Sequence, residues 1–186
     1  RSLQGTAVKV ATVVNFPDGG SDAERAARET RRALAAGADE IDLVLPWRAF
    51  LAGDLAATRA VLAAARAACA AHPLKLILET GELATPERIR AAATLGLEAG
   101  VDFLKTSTGK VAVNATPEAA AILLDVIAAH GGRCGFKAAG GIRRAADAAH
   151  YVELARERLG DVWITPAHFR LGASALHAEL AALAAA

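Results

Sequence analysis

The sequence has 186 residues, of which 54% are hydrophobic and 22% charged, and its formal net charge is +1. A chain of this length and composition suits one compact domain with a large core, so we expect a single domain over residues 1–186 and exclude a disordered chain. The near-neutral charge, without any lysine or arginine block, excludes an electrostatic surface for nucleic acid, and charged residues cut every apolar stretch short of the roughly 18 residues of a membrane span.

Six short apolar runs predict β-strands, and each is followed by a longer amphipathic segment that predicts a helix. The predicted strands cover residues 8–15, 40–46, 74–80, 101–106, 133–138 and 161–165. The predicted helices cover residues 22–36, 55–71, 86–99, 117–129, 145–159 and 174–184. Thr85 and Thr116 each precede a proline, which is the pattern of an N-cap followed by proline at the first helical position.

The spacing of these elements predicts a parallel sheet. Successive strands begin about 30 residues apart, and parallel strands need crossover helices of this kind. A doubly wound sheet should show a glycine-rich first turn, which is absent here. A (β/α)8 TIM barrel should instead carry polar residues at the ends of several strands, as Asn15, Asp42, Glu79, Lys105 and Lys137 do. We expect an α/β barrel of which this chain supplies the last six βα units, with the first two units missing upstream.

Residues 101–110, VDFLKTSTGK, place a lysine where an apolar side chain would be expected. In a strand, Phe103 and Lys105 project from the same face. Burying an ammonium group is costly unless it is paired or neutral, and desolvation lowers the pKa of a lysine toward the range in which the free amine is a nucleophile. Lys105 is therefore a candidate Schiff-base nucleophile. The alternative is a lysine at a frayed strand end that reaches water.

A second lysine, Lys137, lies in the next predicted strand, within GFKAAGG. Adjacent strands are about 4.8 Å apart, so two inward ammonium groups would lower each other's pKa, and one could be neutral while the other stays protonated. Asp42 of EIDLVLP should face the same interior and relay protons to this pair, or form a structural ion pair. We interpret the inward Lys75 and Glu79 as internal scaffolding rather than as catalytic residues, either as a pair with each other or in a cross-strand pair, although Glu79 lies at the active end.

Three glycine-containing loops indicate phosphate binding. TSTGK, AGGIR and LGAS each place glycine at a strand end, where the backbone can approach an anion closely. In (β/α)8 barrels the loops after the seventh and eighth strands often hold phosphate, and the last two of these loops belong to the last two predicted units. Lys110 and Arg143 would add positive charge nearby.

The remaining residues with coordinating or redox chemistry show no motif. Cys69 and Cys134 have no metal-ligand spacing, and we interpret them as small core residues of a cytoplasmic protein. The five histidines show no ligand spacing either, and His168 is left without a role. We therefore predict no metal site and no cofactor.

With these residues identified, the sequence closely resembles the deoxyribose-phosphate aldolase family, class I aldolases built on a (β/α)8 barrel. The matching stretches are ATVVNFPDG, GADEIDLVLPWRAFLAGD, LKLILETGEL, VDFLKTSTGKVAVNATPE, GFKAAGGIR and FRLGAS. The resemblance implies that Lys105 is the Schiff-base nucleophile, that Lys137 perturbs its pKa and relays protons, and that Asp42 takes part in the relay. It also implies phosphate contacts from Gly109, Lys110, Gly140, Gly141, Arg143, Gly172 and Ser174.

The resemblance further implies reversible cleavage of 2-deoxy-D-ribose 5-phosphate to D-glyceraldehyde 3-phosphate and acetaldehyde, without a cofactor. The expected partners are sugar phosphates and aldehydes, with a possible homo-oligomer. The family usually has a second serine after GAS, where this chain has Ala175. Two alternatives stay open: another Schiff-base aldolase on the same barrel, and a truncated, inactive barrel fragment that binds sugar phosphate without turnover.

Overall fold

The structure, a computed structural model, describes residues 6–173 and 176–184. Six parallel strands form one sheet whose spatial order is the chain order. The strands are β1 (Ala11–Val14), β2 (Glu40–Val44), β3 (Leu74–Ile77), β4 (Phe103–Lys105), β5 (Gly135–Ala139) and β6 (Phe169–Gly172). A parallel sheet in chain order, with a helical connection after each strand, confirms the predicted (β/α)8-type fold, of which this chain contains six units.

Six helices follow the six strands, and two short helices add to them within the described residues. Thr85 and Thr116 cap their helices as predicted, since each side chain accepts a hydrogen bond from a backbone amide of the first turn. The short helices α2 and α4 have too few residues for their periodicity to show in the sequence. The helices are α1 (Ala23–Ala35), α2 (Trp47–Leu51), α3 (Leu55–Cys69), α4 (Thr80–Leu83), α5 (Pro86–Glu98), α6 (Pro117–Ala129), α7 (Ala145–Leu159) and α8 (Leu176–Ala184). Among these described helices, none has the length and apolar character needed to cross a bilayer.

The predicted sixth strand at residues 161–165 is wrong. Asp161–Trp163 forms a 3₁₀-helix, and the sixth strand begins later, at Phe169. Trp163 is buried and its indole N–H donates to the carbonyl of Gly132 at 2.7 Å, which anchors this turn to the segment between α6 and β5. The run DVWIT has high strand propensity, but tertiary contacts override propensity of this kind.

The two faces of the sheet differ sharply in chemistry. On the outer face Leu43, Leu76 and Leu104 are fully buried against the helices. On the inner face, alternation along the strands places charged residues instead. The buried charged residues of the strands are Glu40, Asp42, Lys75 and Lys105. The helices therefore pack on an apolar layer, whereas the interior of the curled sheet combines ion pairs with apolar residues such as Ile77 and Phe103.

The sheet curls toward its inner face. In a flat sheet β2 and β5 would lie about 14 Å apart and β2 and β6 about 19 Å apart, at roughly 4.8 Å per strand. Yet Asp42 on β2 contacts Lys137 on β5 at 2.8 Å, and Glu40 contacts Arg170 on β6 at 3.3 Å. The curvature brings side chains from five strands to a common interior, which is the geometry that a barrel site requires.

Candidate active site

A single carboxylate oxygen of Asp42 holds the two predicted lysines. Oδ2 accepts hydrogen bonds from Lys105 Nζ and Lys137 Nζ, each at 2.8 Å. Lys105 ends β4 and lies in register with Lys137 on β5, so the two side chains leave adjacent strands side by side. All three side chains are largely buried, with exposed fractions of 3% for Asp42, 8% for Lys105 and 15% for Lys137. The structure therefore brings together the three residues that the sequence marked for the chemistry.

The ion-pair network continues on the other side of Asp42. Lys75 Nζ contacts Asp42 Oδ1 at 2.8 Å and Glu40 Oε2 at 2.7 Å. Glu40 in turn accepts from the guanidinium of Arg170 at 3.3 Å. The inward placement of Lys75 is as predicted, and of the two predicted pairings the structure has the cross-strand one, with these two carboxylates of β2. Glu79 pairs elsewhere, with Thr108.

Four cationic side chains share two carboxylates in this interior, and the pKa values reflect the imbalance. Burial alone would raise the pKa of Asp42, but the ammonium groups of Lys105, Lys137 and Lys75 outweigh it and hold the pKa well below its usual range. Burial lowers the pKa of Lys137, Asp42 opposes that shift, and the charge of Lys105 adds to it. Such a cluster sheds a proton from a lysine more readily than an isolated ammonium group does.

A cleft of about 490 Å³ opens above the lysine pair at the carboxyl ends of β4, β5 and β6. Its lining contains Lys105 and Lys137 together with residues from all three predicted phosphate loops. Glycine-rich backbone and the cationic side chain of Arg143 therefore line the same space as the two lysines. The predicted phosphate residues that line the cleft are Gly109, Gly140, Gly141, Arg143 and Gly172.

Two predicted phosphate residues are placed differently. Lys110 is exposed and lies outside the residues that line the cleft, although its backbone amide donates to Thr108 Oγ1 at 3.0 Å. Ser174 lies outside the described residues, as does Ala175.

Gly172 is needed for space, because a Cβ there would lie 3.3 Å from Cε of Lys137 and 3.0 Å from Cβ of Ala139. A side chain at this position would press on the lysine itself.

Sequence reasoning missed one charged residue of the interior and one polar residue of the cleft. Arg170 was missed because its strand was predicted at residues 161–165. The alternation of Phe169 and Leu171 with Arg170 and Gly172 was the available signal. Thr108 lines the cleft and bonds to Glu79, a pairing between a loop and a strand end that no local pattern encodes.

A larger groove of about 690 Å³ lies on the outside of the molecule, between the α2–α3 region and α5. Of the described residues that line it, none is a lysine, cysteine or histidine, so it offers no amine for carbonyl chemistry. Across the part of the chain that the structure describes, no three histidine, cysteine, aspartate or glutamate side chains are grouped to hold a metal ion.

The sequence of this chain matches a known protein family. A sequence model of the DeoC/LacD family aldolases matches residues 1–181. The chain belongs to the DeoC/LacD family. Membership in this aldolase family agrees with a barrel interior that presents two lysines beside a carboxylate, and it supports a carbon-carbon lyase.

Several solved structures similar to this DeoC/LacD-family chain carry the name deoxyribose-phosphate aldolase. A provisionally assigned one from Coccidioides immitis is 32% identical with a TM-score of 0.82, over 93% of this chain and 63% of that one. Another provisional assignment, from Toxoplasma gondii ME49, is 30% identical with a TM-score of 0.80, over 89% and 66%. A tetrameric enzyme from Aeropyrum pernix is 26% identical with a TM-score of 0.73, over 95% and 68%. The chain thus spans about two thirds of the length of these relatives.

Proposed function

We propose that this chain is a class I aldolase that reversibly cleaves 2-deoxy-D-ribose 5-phosphate to D-glyceraldehyde 3-phosphate and acetaldehyde. The observation that carries the proposal is the shared oxygen of Asp42, which lies 2.8 Å from both Lys105 Nζ and Lys137 Nζ. A nucleophilic amine needs somewhere to leave its proton, and a carboxylate oxygen between two amines provides a direct route. Family membership and the names of the similar structures support the substrate.

The proposed chemistry begins with a proton transfer. Because burial and the neighbouring ammonium lower the pKa of Lys137, the cluster can hold a neutral amine there. A proton passing from Lys105 through Asp42 Oδ2 to Lys137 would move that neutral amine to Lys105, which then attacks the substrate aldehyde. The carbinolamine hydroxyl takes the proton of the Lys137 ammonium and leaves as water, which gives an iminium ion on Lys105 and returns Lys137 to the neutral amine.

The iminium nitrogen then accepts the electron pair of the carbon-carbon bond that breaks. The hydroxyl group beyond that bond loses its proton to the Asp42–Lys137 relay and becomes the aldehyde of D-glyceraldehyde 3-phosphate. The enamine left on Lys105 takes a proton back at carbon, and water hydrolyses the resulting iminium to release acetaldehyde and restore the amine. The phosphate would lie among the glycine-rich loops of the cleft, where Gly140 and Gly141 line the space and backbone amides could approach an anion closely.

Reductive trapping tests the proposal at one atom. Sodium borohydride with acetaldehyde should convert Lys105 to its N-ethyl derivative and leave the other four lysines unmodified, since the proposed relay leaves the neutral amine on Lys105 and the proton on Lys137. Peptide mapping by mass spectrometry identifies the modified residue. Lys105→Ala should abolish trapping and cleavage, while the matched control Lys110→Ala should still be trapped at Lys105.

The result distinguishes the remaining alternatives. Trapping at Lys137 would reverse the roles of the two amines, and full trapping in Lys105→Ala would refute the assignment. Trapping by a ketose donor but not by acetaldehyde would indicate a different Schiff-base aldolase. Binding of the sugar phosphate without trapping would indicate a barrel that binds its ligand without turnover.

A further inference from the structure

Glu79 is a fully buried carboxylate at the active end of the barrel that the proposed chemistry does not use. It follows the end of β3, where alternation puts it on the inner face with Lys75 and Ile77. Its backbone φ of 56° lies in the left-handed region, which a non-glycine residue keeps only where its surroundings hold it there. Such positions cluster at functional sites, so its contacts are informative.

Two backbone hydrogen bonds hold Glu79 beside the strand that carries Lys105. The amide of Leu78 donates to the carbonyl of Lys105 at 2.9 Å, and the amide of Thr80 donates to the carbonyl of Thr106 at 3.0 Å. Residues on both sides of Glu79 are therefore fixed to the end of β4. The Glu79 side chain therefore faces the loop that follows β4.

The carboxylate of Glu79 holds the turn at Thr108. Oε1 accepts from the Thr108 amide at 3.2 Å, and Oε2 accepts from the Thr108 hydroxyl at 2.5 Å. The hydroxyl in turn accepts from the Lys110 amide at 3.0 Å. Because the single hydroxyl proton is directed to Glu79, an oxygen lone pair is left for Lys110. One buried carboxylate thus organises three consecutive residues of the loop.

The same loop is fixed at two further points, so the turn has a rigid frame. Thr106 Oγ1 donates to the carbonyl of Ala139 at 3.1 Å and accepts from its amide at 3.0 Å, which ties the loop to β5. On the other side, a Cβ at Gly81 would lie 2.0 Å from the carbonyl oxygen of Val113, so α4 contacts the loop backbone directly. Between these points, within the part of the chain that the structure describes, the side-chain partner of Thr108 is Glu79.

We propose that Glu79 is a positioning residue whose carboxylate shapes the turn at Thr108 and Gly109 and thereby sets the affinity of the cleft for the substrate phosphate. Thr108 and Gly109 line the cleft beside Lys105, whereas Glu79 itself is not part of the lining. The inference rests on the proposed function, and it differs from our sequence interpretation of Glu79 as internal scaffolding. A scaffold would support every substrate equally, but a phosphate-positioning residue affects phosphorylated substrates alone.

The test compares 2-deoxy-D-ribose 5-phosphate with unphosphorylated 2-deoxy-D-ribose. Glu79→Gln keeps the shape but replaces one of the acceptor oxygens that face Thr108 with a donor. It should raise KM for the phosphorylated sugar by about tenfold, the scale of one charge-assisted hydrogen bond. kcat/KM for the unphosphorylated sugar should stay unchanged. The matched control is Glu82→Gln, the same substitution three residues later, within α4, at a residue for which the structure shows no side-chain hydrogen bond to another described residue.

Variants on the loop side probe the same bond independently. Thr108→Val removes the hydroxyl and should reproduce the loss of phosphate preference, whereas Thr108→Ser keeps the hydroxyl and should restore it. These two variants decide the question if Glu79→Gln does not fold. Equal losses on both sugars in Glu79→Gln and Thr108→Val would overturn the inference.

The outcome also separates this inference from the proposed function. If the unmodified protein cleaves neither sugar, the proposed function fails, and binding of inorganic phosphate measured by calorimetry takes the place of kinetics. Weaker phosphate binding by Glu79→Gln than by Glu82→Gln would support the positioning role without any turnover. Equal binding by both variants, or no phosphate binding by the unmodified protein, would overturn it.

Discussion

At the scale of single residues, Asp42 is the group on which the interior charges depend. Its two oxygens contact three ammonium groups, and no other carboxylate among the described residues contacts Lys105 or Lys137. Removing one partner from a buried ion network is far more costly than removing an exposed pair, because the remaining charges stay buried without compensation. The stability of the fold and the proposed chemistry therefore share one residue.

Asp42→Asn should destabilise the protein by about 3–5 kcal/mol, as expected when one member of a buried charge network is removed. Urea denaturation followed by circular dichroism measures the change. The matched control is Asp161→Asn, since Asp161 is exposed and pairs with Arg156 on the surface. An exposed pair contributes about 1 kcal/mol or less, so the control should unfold nearly as the unmodified protein does.

The pH dependence of this difference has a defined sign. The pKa of Asp42 is lowered in the folded protein, so the unfolded chain binds a proton first as the pH falls below the usual value of 3.8. The stabilisation from Asp42 is complete above that value and is lost as the pH falls through the folded-state pKa. The gap between the unmodified protein and Asp42→Asn should therefore be constant at neutral pH and shrink below about pH 4. A gap that widens in acid would contradict the charge network as its cause.

At the same scale, alternation along strands was enough to predict that Lys105, Lys137 and Asp42 share a face. Alternation did not predict that both lysines reach the same carboxylate oxygen, because that distance depends on how strongly the sheet curls. It also did not reveal the contact between Glu79 and Thr108, which joins residues 29 positions apart through a left-handed backbone. Contacts of that kind are properties of the folded chain rather than of any local pattern.

At the scale of elements, the periods of the sequence predicted five of the six strands and the six longer helices. The sixth strand was misplaced because DVWIT has stronger strand propensity than FRLG, although FRLG pairs with β5. Its Arg170 and Gly172 face the interior, where charge and lack of a side chain weaken the usual strand signal. Polar residues near the carboxyl end of a strand are typical of a barrel active site, but in β6 they also interrupt the apolar alternation from which strands are predicted.

The pairing of β4 with β5 depends on a close steric match inside the barrel. Phe103 and Gly135 are register partners, and a Cβ at Gly135 would lie 2.3 Å from the Phe103 ring. Gly135→Ala should destabilise the protein by about 1–3 kcal/mol, the usual cost of overpacking. The double variant Phe103→Leu/Gly135→Ala should recover part of that loss, since leucine is smaller than the ring. Denaturant unfolding of all four proteins gives the coupling energy.

The double-mutant cycle of Phe103 and Gly135 contains its own control. Phe103→Leu alone should destabilise the protein through lost packing, so recovery in the double variant can come only from relief of the clash. Additive effects of the two substitutions would show that the ring and the glycine do not set the spacing of β4 and β5. The distance between Lys105 and Lys137 would then need another explanation.

At the scale of the whole molecule, the described sheet has two different edges. On the β1 edge, Val13 faces the interior side by its register with Asp42 and is 39% exposed, so this side of the interior is open. On the β6 edge, Arg170 extends across the interior to Glu40 on β2 and also lies over the Phe103 ring at 5.4 Å. We infer that ion pairing across the interior, rather than packing alone, holds the β6 edge in its curled position.

Arg170→Leu should release β6 without unfolding the molecule. The Arg170 side chain is 34% exposed, so its loss should cost only about 1 kcal/mol or less of global stability. Local opening of β6 should be affected more strongly than global stability, because few other contacts join β6 to the far side of the sheet. The amides of β6 should therefore exchange faster with deuterium, while those of β3 and β4 keep their protection. Arg156→Leu, which removes an exposed ion-pair residue of α7, serves as the control and should leave β6 unchanged. Unaltered exchange of the β6 amides in Arg170→Leu would show that hydrogen bonding to β5 alone maintains the curl. Faster exchange throughout the sheet would show instead that Arg170 supports the fold as a whole.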